Sequence, residues 1–304
     1  MTLSSERNER AGARVIVHEW KWRRAAMRFV KSEQEINSIQ AVNSRCHLLR
    51  LKSLSVYFET DPVVLGKLLP PPLEPAPNHV AVATVGEVGN SNCAGPYEFA
   101  TLGVRARYGD VIGTYCLSAP VSTAQAMTFG REQYGEPRKL GSIVFEQQDE
   151  HVWGSAERGE IRFLSVRGRC DRPAPAGRQE LSDFHFKYQP RPDGFGFDGP
   201  PQLVQVTTDL TVITARRGRG EVVFRDSTHD PVIDLPVTQV LDAVFIEGHA
   251  YTSGRFLAEV DPDAFLPYSF NGADCAETTA EGTVLHAQAS RQTRDGRGEW
   301  RKTA

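Results

Sequence analysis

No stretch of this 304-residue chain reaches the ~18 consecutive apolar residues that a membrane-crossing helix needs, so no such span is expected. The opening residues, MTLSSERNERAGARV, lack the apolar core of a secretory leader, and a cytoplasmic location is the expectation. Cysteine is scarce. The five present (Cys46, Cys93, Cys116, Cys170 and Cys275) are scattered, odd in number and never spaced C-x-x-C. A disulfide framework and a zinc site are therefore not expected, and a reducing compartment fits the pattern. The eight histidines show no H-x-H or H-E-x-x-H spacing, so the expected metal complement is none. Charge of one sign is missing too: 35 Lys and Arg against 38 Asp and Glu leave a net −3, with the basic residues dispersed. No face of the chain is basic enough to argue for nucleic acid.

What is present is mostly short-period alternation. HVAVATV (79–85) alternates apolar and polar residues, as does LVQVTTDLTVITA (203–215). HVWGSAE (151–157) and EIRFLSVRG (160–168) read as a hairpin turning at Arg158-Gly159. A second hairpin is read from 203–215 through RRGRG to EVVFRD (221–226). Short helices are predicted at 61–69, around 122–134 and at 178–184, with loops at 171–177 and 190–201. The expected class is mainly β (α+β). Residues 1–46 read as a partly helical extension: a polar stretch to 14, then a helix over 15–38 with Trp22, Ala26, Phe29 and Val30 on one face. Residues 47–260 read as the domain, and 261–304 as a C-terminal segment, polar and Arg-rich from 278 onward.

The chemistry concentrates in GREQYGEPRKLG (130–141), where two adjacent cations, Arg138 and Lys139, follow Pro137 and precede an apolar run. A lysine held beside another cation in a desolvating pocket becomes a neutral amine near neutral pH and can attack a ketone. The segment resembles the GRE…PKK signature of the acetoacetate decarboxylase family. VYFETDPVVLGKLLPPPLEP (56–75), GPYEFA (95–100), FHFKYQP (184–190) and DPVIDLPVTQVLDAVFIEGHAY (230–251) are similar to further blocks of that family, in the same order across roughly 47–255. The resemblance implies a β-barrel-like core enclosing a buried pocket, with a few flanking helices. It implies a lyase acting on a small keto acid or related carbonyl substrate through a lysine Schiff base, with no cofactor, in a homo-oligomer. Decarboxylation, aldol or dehydration chemistry, as in a biosynthetic step, all fall within it.

The residues that the resemblance picks out are Lys139, Arg138 and Glu98 as catalytic, and Arg50, Tyr97, Phe129 and Tyr134 as substrate-binding. The chain departs from the family at the first of these. The family's nucleophilic lysine is the first of its pair; here that place is Arg138, and only Lys139 is a lysine. Neighbours on a strand point to opposite faces, so Arg138 and Lys139 compete for the pocket. Three readings stay open: an imine enzyme through Lys139, an imine-independent enzyme using Arg138, Arg50 and Glu98 to bind an anion and stabilise an enolate, and a non-catalytic small-molecule binder.

Overall fold

The computed structural model describes residues 28–272, Thr228 apart. The chain divides between Ala41 and Val42. The described part of the first unit holds most of helix α1 (Glu33–Ser44). A reciprocal cap sets its start: the Ser32 N–H donates to Glu35 Oε2 (2.8 Å) and the Glu35 N–H to Ser32 Oγ (3.3 Å). The helix expected over 15–38 therefore begins at Glu33 within the described residues, and its portion before residue 28 lies outside them, as do 1–14 and 278–304.

The second unit holds all twelve strands of the described residues. They are β1 (Cys46–Glu59), β2 (Glu74–Pro75), β3 (Val80–Ser91), β4 (Tyr97–Tyr108), β5 (Val111–Val121), β6 (Arg138–Leu140), β7 (Ser142–Gln148), β8 (His151–Arg158), β9 (Ile161–Pro173), β10 (Gly177–Lys187), β11 (Gln202–Phe224) and β12 (Gln239–Glu259). Helices α2 (Pro62–Leu68), α3 (Ala124–Tyr134) and α4 (Pro262–Phe265) connect or follow them. None of the described helices is long and apolar enough to cross a membrane. Strands run β10-β5-β4-β3-β1-β12-β11, and β11 pairs back onto β10. That closes a seven-stranded barrel, which leaves none of these strands as an open edge. The far half of β11 leaves the barrel and pairs with β9, extending the sheet through β8 and β7.

Register decides what the barrel wall presents on each side. On β1, Leu54, Val56 and Phe58 are fully buried on one face, cross-strand from Val85, Ala83 and Ala81 of β3. These pack against Val152, Phe163 and Val166 of the β7–β9 extension. The main core therefore lies outside the barrel, between its wall and the folded-over extension. Each such side chain contributes about 1.5–3 kcal/mol by leaving water. The opposite face of the same strands points into the lumen. Leu51, Val88, Tyr97, Val121, Leu210, Val212 and Ala250, drawn from six different barrel strands, meet there, and Ala126 and Met127 of α3 join them. Below this apolar ring the lumen turns polar: Ser53, Ser55 and Tyr57 on β1, Thr84 on β3, and Thr101 and Arg105 on β4 share the face. Ser55 and Thr84 hydroxyls bond across it at 2.8 Å.

Two expectations are overturned. Residues 178–184 are not helical; they lie in β10, paired with β11 along its whole length. A short segment with weak helical periodicity is claimed here by the two strands that need it to close the barrel. Residues 203–226 are not a hairpin either, since β11 runs unbroken from Gln202 to Phe224. The glycines of RRGRG serve close strand approach instead of a turn: a Cβ at Gly218 would lie 1.8 Å from the Arg169 carbonyl oxygen. The loop expected at 171–177 narrows to 174–176. Residues 261–272, set outside the domain by sequence, include α4, whose Phe265 is buried and stacks on Phe186 at 4.6 Å.

Candidate active site

The pair Arg138-Lys139 opens β6, a three-residue strand that pairs in parallel with β5, Ala119 opposite Arg138 and Pro120 opposite Lys139. Its position follows from α3. Thr123 caps the helix start by accepting from the Ala126 N–H. At the other end the Gly135 and Glu136 N–H groups return to the Arg131 and Gly130 carbonyls, turning the chain straight into β6. Strand alternation then sends the two cations to opposite faces.

Arg138 turns toward the lumen. Its Nε donates to the Glu136 carboxylate and its Nη1 to the Ala126 carbonyl oxygen (2.7 Å), while its guanidinium carbon sits 5.6 Å from the Tyr97 ring centroid. Gly130 makes the room, because a Cβ there would lie 2.3 Å from Arg138 Nε. Burial works against the Arg138 cation, but Glu136 and Tyr97 outweigh it and its pKa is raised. Burial likewise raises the Tyr97 phenol, against the pull of Arg138. Two of the five guanidinium N–H groups are thus engaged in hydrogen bonds to Glu136 and Ala126, with the Tyr97 phenol near the remainder.

Lys139 turns outward. Its Nζ donates to the His229 carbonyl oxygen at 2.6 Å and lies 3.5 Å from Asp230 Oδ1. Asp230 is 3% exposed and binds Arg158 through its other oxygen at 2.5 Å, and Arg158 Nε donates to the Leu140 carbonyl at 2.8 Å. One carboxylate so ties β6, β8 and the segment before β12 together. A buried carboxylate between two cations holds only while all three are present.

The other sequence-derived residues disperse. Glu98 faces away from Tyr97, as alternation requires, opposite Glu87, whose carboxylate Lys52 approaches at 3.5 Å. Arg50 is exposed at a β1 irregularity with φ 51° and donates to the Gly89 carbonyl at 2.7 Å. Phe129 and Tyr134 pack edge-to-face at 5.6 Å against Val204 and Val206. Of the named set, the structure brings Arg138 to Tyr97 and Phe129 to Tyr134, and leaves Lys139, Glu98 and Arg50 on other surfaces.

Several lumen residues escaped the sequence reading. Glu136 lies two positions before Arg138. Asp183 and His185 lie on β10, alternating with Phe184 and Phe186, which are buried in the outer core. That alternation of Asp and His with fully buried phenylalanines was the available signal. Burial and the nearby Glu136 push Asp183 up to about 7, against the pull of Arg105. Burial lowers the His185 imidazole, and its buried Nδ1 has no hydrogen-bond partner. Cys116 of β5, cross-strand from Gly103, is raised by burial and by Glu136. No group of three or more His, Cys, Asp or Glu among the described residues is arranged to hold a metal ion.

Comparison with known proteins gives this arrangement a context. Residues 38–259 match the acetoacetate decarboxylase family. The acetoacetate decarboxylase of Chromobacterium violaceum is 25% identical over 197 residues, covering 62% of this chain and 78% of that protein. The crystal structure of acetoacetate decarboxylase from Legionella pneumophila superposes with a TM-score of 0.65 at 22% identity, covering 70% of this chain and 87% of that one. The enduracididine biosynthesis enzyme MppR, solved with the condensation product of pyruvate and imidazole 4-carboxaldehyde, superposes with a TM-score of 0.62 at 18% identity, covering 71% and 90%.

Proposed function

The chain belongs to the acetoacetate decarboxylase family, and we propose that within it this protein is an enzyme that acts on a small keto acid by stabilising an enolate, without a lysine imine. One observation carries the reading: the β6 cation on the lumen side is Arg138, bound to Glu136 beneath Tyr97, while Lys139 donates to the His229 carbonyl and lies against Asp230 on the other face. An imine nucleophile must present an unprotonated nitrogen to a carbonyl carbon. Arginine stays protonated and cannot form that bond, but its planar fork suits a carboxylate or a developing enolate oxygen. Fixed donors aimed at a developing oxyanion in a water-poor site are worth about 3–4 kcal/mol each. Acetoacetate and pyruvate, the keto acids associated with the relatives, are the first probes.

The reading departs from the notion of Arg50 and Glu98 as partners of Arg138, since both sit on other surfaces. Glu136 and Tyr97 take their place beside the guanidinium. The test is turnover of a panel of 2- and 3-keto acids by the wild type, Arg138→Ala and Lys139→Met. Loss of turnover in Arg138→Ala with retention in Lys139→Met supports the reading. The opposite pattern refutes it. A wild type that binds the panel and turns over none of it leaves the non-catalytic binder as the correct reading.

A further inference from the structure

The lumen holds two polar side chains that the enolate reading does not use, half-buried Asp183 and buried His185. Both come from β10, the strand that completes the barrel by pairing with β5 (Asp183 opposite Thr114) and β11 (Asp183 opposite Val206). Phe184 and Phe186, 0% and 4% exposed, pack into the outer core and so fix the intervening residues on the inner face. His185 is 5% exposed, with a buried Nδ1 that no protein group satisfies. Burying such an atom is unfavourable unless something bonds to it. Its placement inside a polar lumen points to a ligand as the missing partner.

We propose that Asp183 is the proton carrier of this site, delivering a proton to the carbon of the enolate that Arg138 holds, with His185 presenting Nδ1 to the same substrate. The proposal rests on the enolate reading above. For a 3-keto acid the bond between C2 and the carboxyl carbon breaks, CO2 leaves, and the electron pair passes to the carbonyl oxygen as an enolate. The enolate carbon takes the proton from the Asp183 carboxyl, giving the ketone. The Asp183 carboxylate then recovers a proton from water. For a 2-keto acid with an α-hydrogen the same group, ionised, removes that proton and returns it.

The surroundings support the role. The titratable and charged groups near Asp183 or His185 are Tyr57 from β1, Arg105 from β4, Cys116 from β5, and Glu136 and Arg138 around β6, with Asp242 of β12 beyond Tyr57; the β11 residues opposite them are Val206 and Val204. Glu136, whose carboxylate binds Arg138 Nε, lies within electrostatic range of both Asp183 and His185, and Arg138 itself within range of His185. Burial, with Glu136 adding to it, holds the Asp183 pKa at about 7, so the group can both keep and release a proton near neutral pH.

The experiment is deuterium exchange into the methyl group of pyruvate, with decarboxylation of acetoacetate followed in parallel, for wild type, Asp183→Asn, Asp183→Ser, His185→Gln and Arg138→Ala. Pyruvate affinity is measured for each by titration, and folding is checked by thermal melting. General acid–base groups contribute about 10²–10⁴ in rate. Asp183→Asn and Asp183→Ser are expected to slow exchange at least about a hundredfold with pyruvate affinity within a few-fold, and to abolish the wild type's pH dependence near neutrality. His185→Gln is expected to weaken pyruvate binding. Folded Asp183 variants that exchange at the wild-type rate overturn the proposal. If they do so while Arg138→Ala is inactive, the enolate reading survives and the proton carrier is another group. If Arg138→Ala stays active while the Asp183 variants fail, the carrier stands and the enolate reading falls. A wild type inert toward both probes contradicts both.

Discussion

The two faces of β6 carry adjacent cations that do opposite work. On the inner face Arg138 has a carboxylate and an aromatic ring beside it. On the outer face Lys139 is locked into a ladder of Asp230, Arg158 and the carbonyls of His229 and Leu140. Two residues that look interchangeable in sequence are separated by the period of a strand into a lumen-side cation, the one the proposed function uses, and one tied into the scaffold. A perturbed or buried cation marks function only when its neighbours leave part of it unused.

The largest expected effect is on the outer face. Asp230→Ala removes the buried carboxylate that Lys139 and Arg158 share and is expected to cost about 3–5 kcal/mol of stability, read from urea denaturation. Turnover per folded molecule is expected to change little. A variant of wild-type stability that has lost activity would reverse the roles assigned to the two faces.

Next in size is Gly130→Ala. The added Cβ would fall 2.3 Å from Arg138 Nε and must displace the guanidinium, while Lys139 is untouched. Overpacking of this kind costs about 1–3 kcal/mol. The expected result is a modest loss of stability with a disproportionate fall in kcat/KM for the keto acid. An unchanged kcat/KM would mean the Arg138 position is not critical.

A third effect, on the inner face, concerns pH. Asp183 has a folded pKa of about 7 against an ordinary 3.8. Between these values the folded protein keeps a proton that the unfolded chain has released, so this group lowers stability as pH rises from about 4 to about 7 and no further above that. Asp183→Asn is expected to flatten that part of the stability–pH curve and to be the more stable protein at pH 8. Superimposable curves for the two proteins would show that Asp183 titrates normally.

The barrel was legible from alternation and from the family blocks, because period-2 patterning survives in any half-buried strand. Its sidedness was not. A reader of β1 or β4 takes the polar residues for the solvent face; here Ser55, Tyr57, Thr101 and Arg105 turn inward, and the apolar set is covered by the β7–β9 extension. That inversion depends on closure, a tertiary fact that no local window carries. It is also why Asp183 and His185 were passed over and why 178–184 read as helix. Gly218 misled for a similar reason: glycine marks a turn or a close approach, and only the neighbouring strand decides which. Glu98 and Arg50 were drawn from family blocks, and the structure sends them to other surfaces. The rule that adjacent strand residues oppose each other favoured Arg138 as the inward cation, while the family's imine chemistry favoured Lys139, and the sequence left the two in competition.

The most direct measurement is borohydride reduction in the presence of acetoacetate or pyruvate, read by intact mass and peptide mapping, on the wild type and on Arg138→Lys. With Arg138 inside and Lys139 tied to Asp230, the wild type is expected to turn over substrate with no reduced adduct. Arg138→Lys, which sets a primary amine in the lumen, is expected to acquire one at residue 138. A reduced adduct on Lys139 of the wild type would contradict the account.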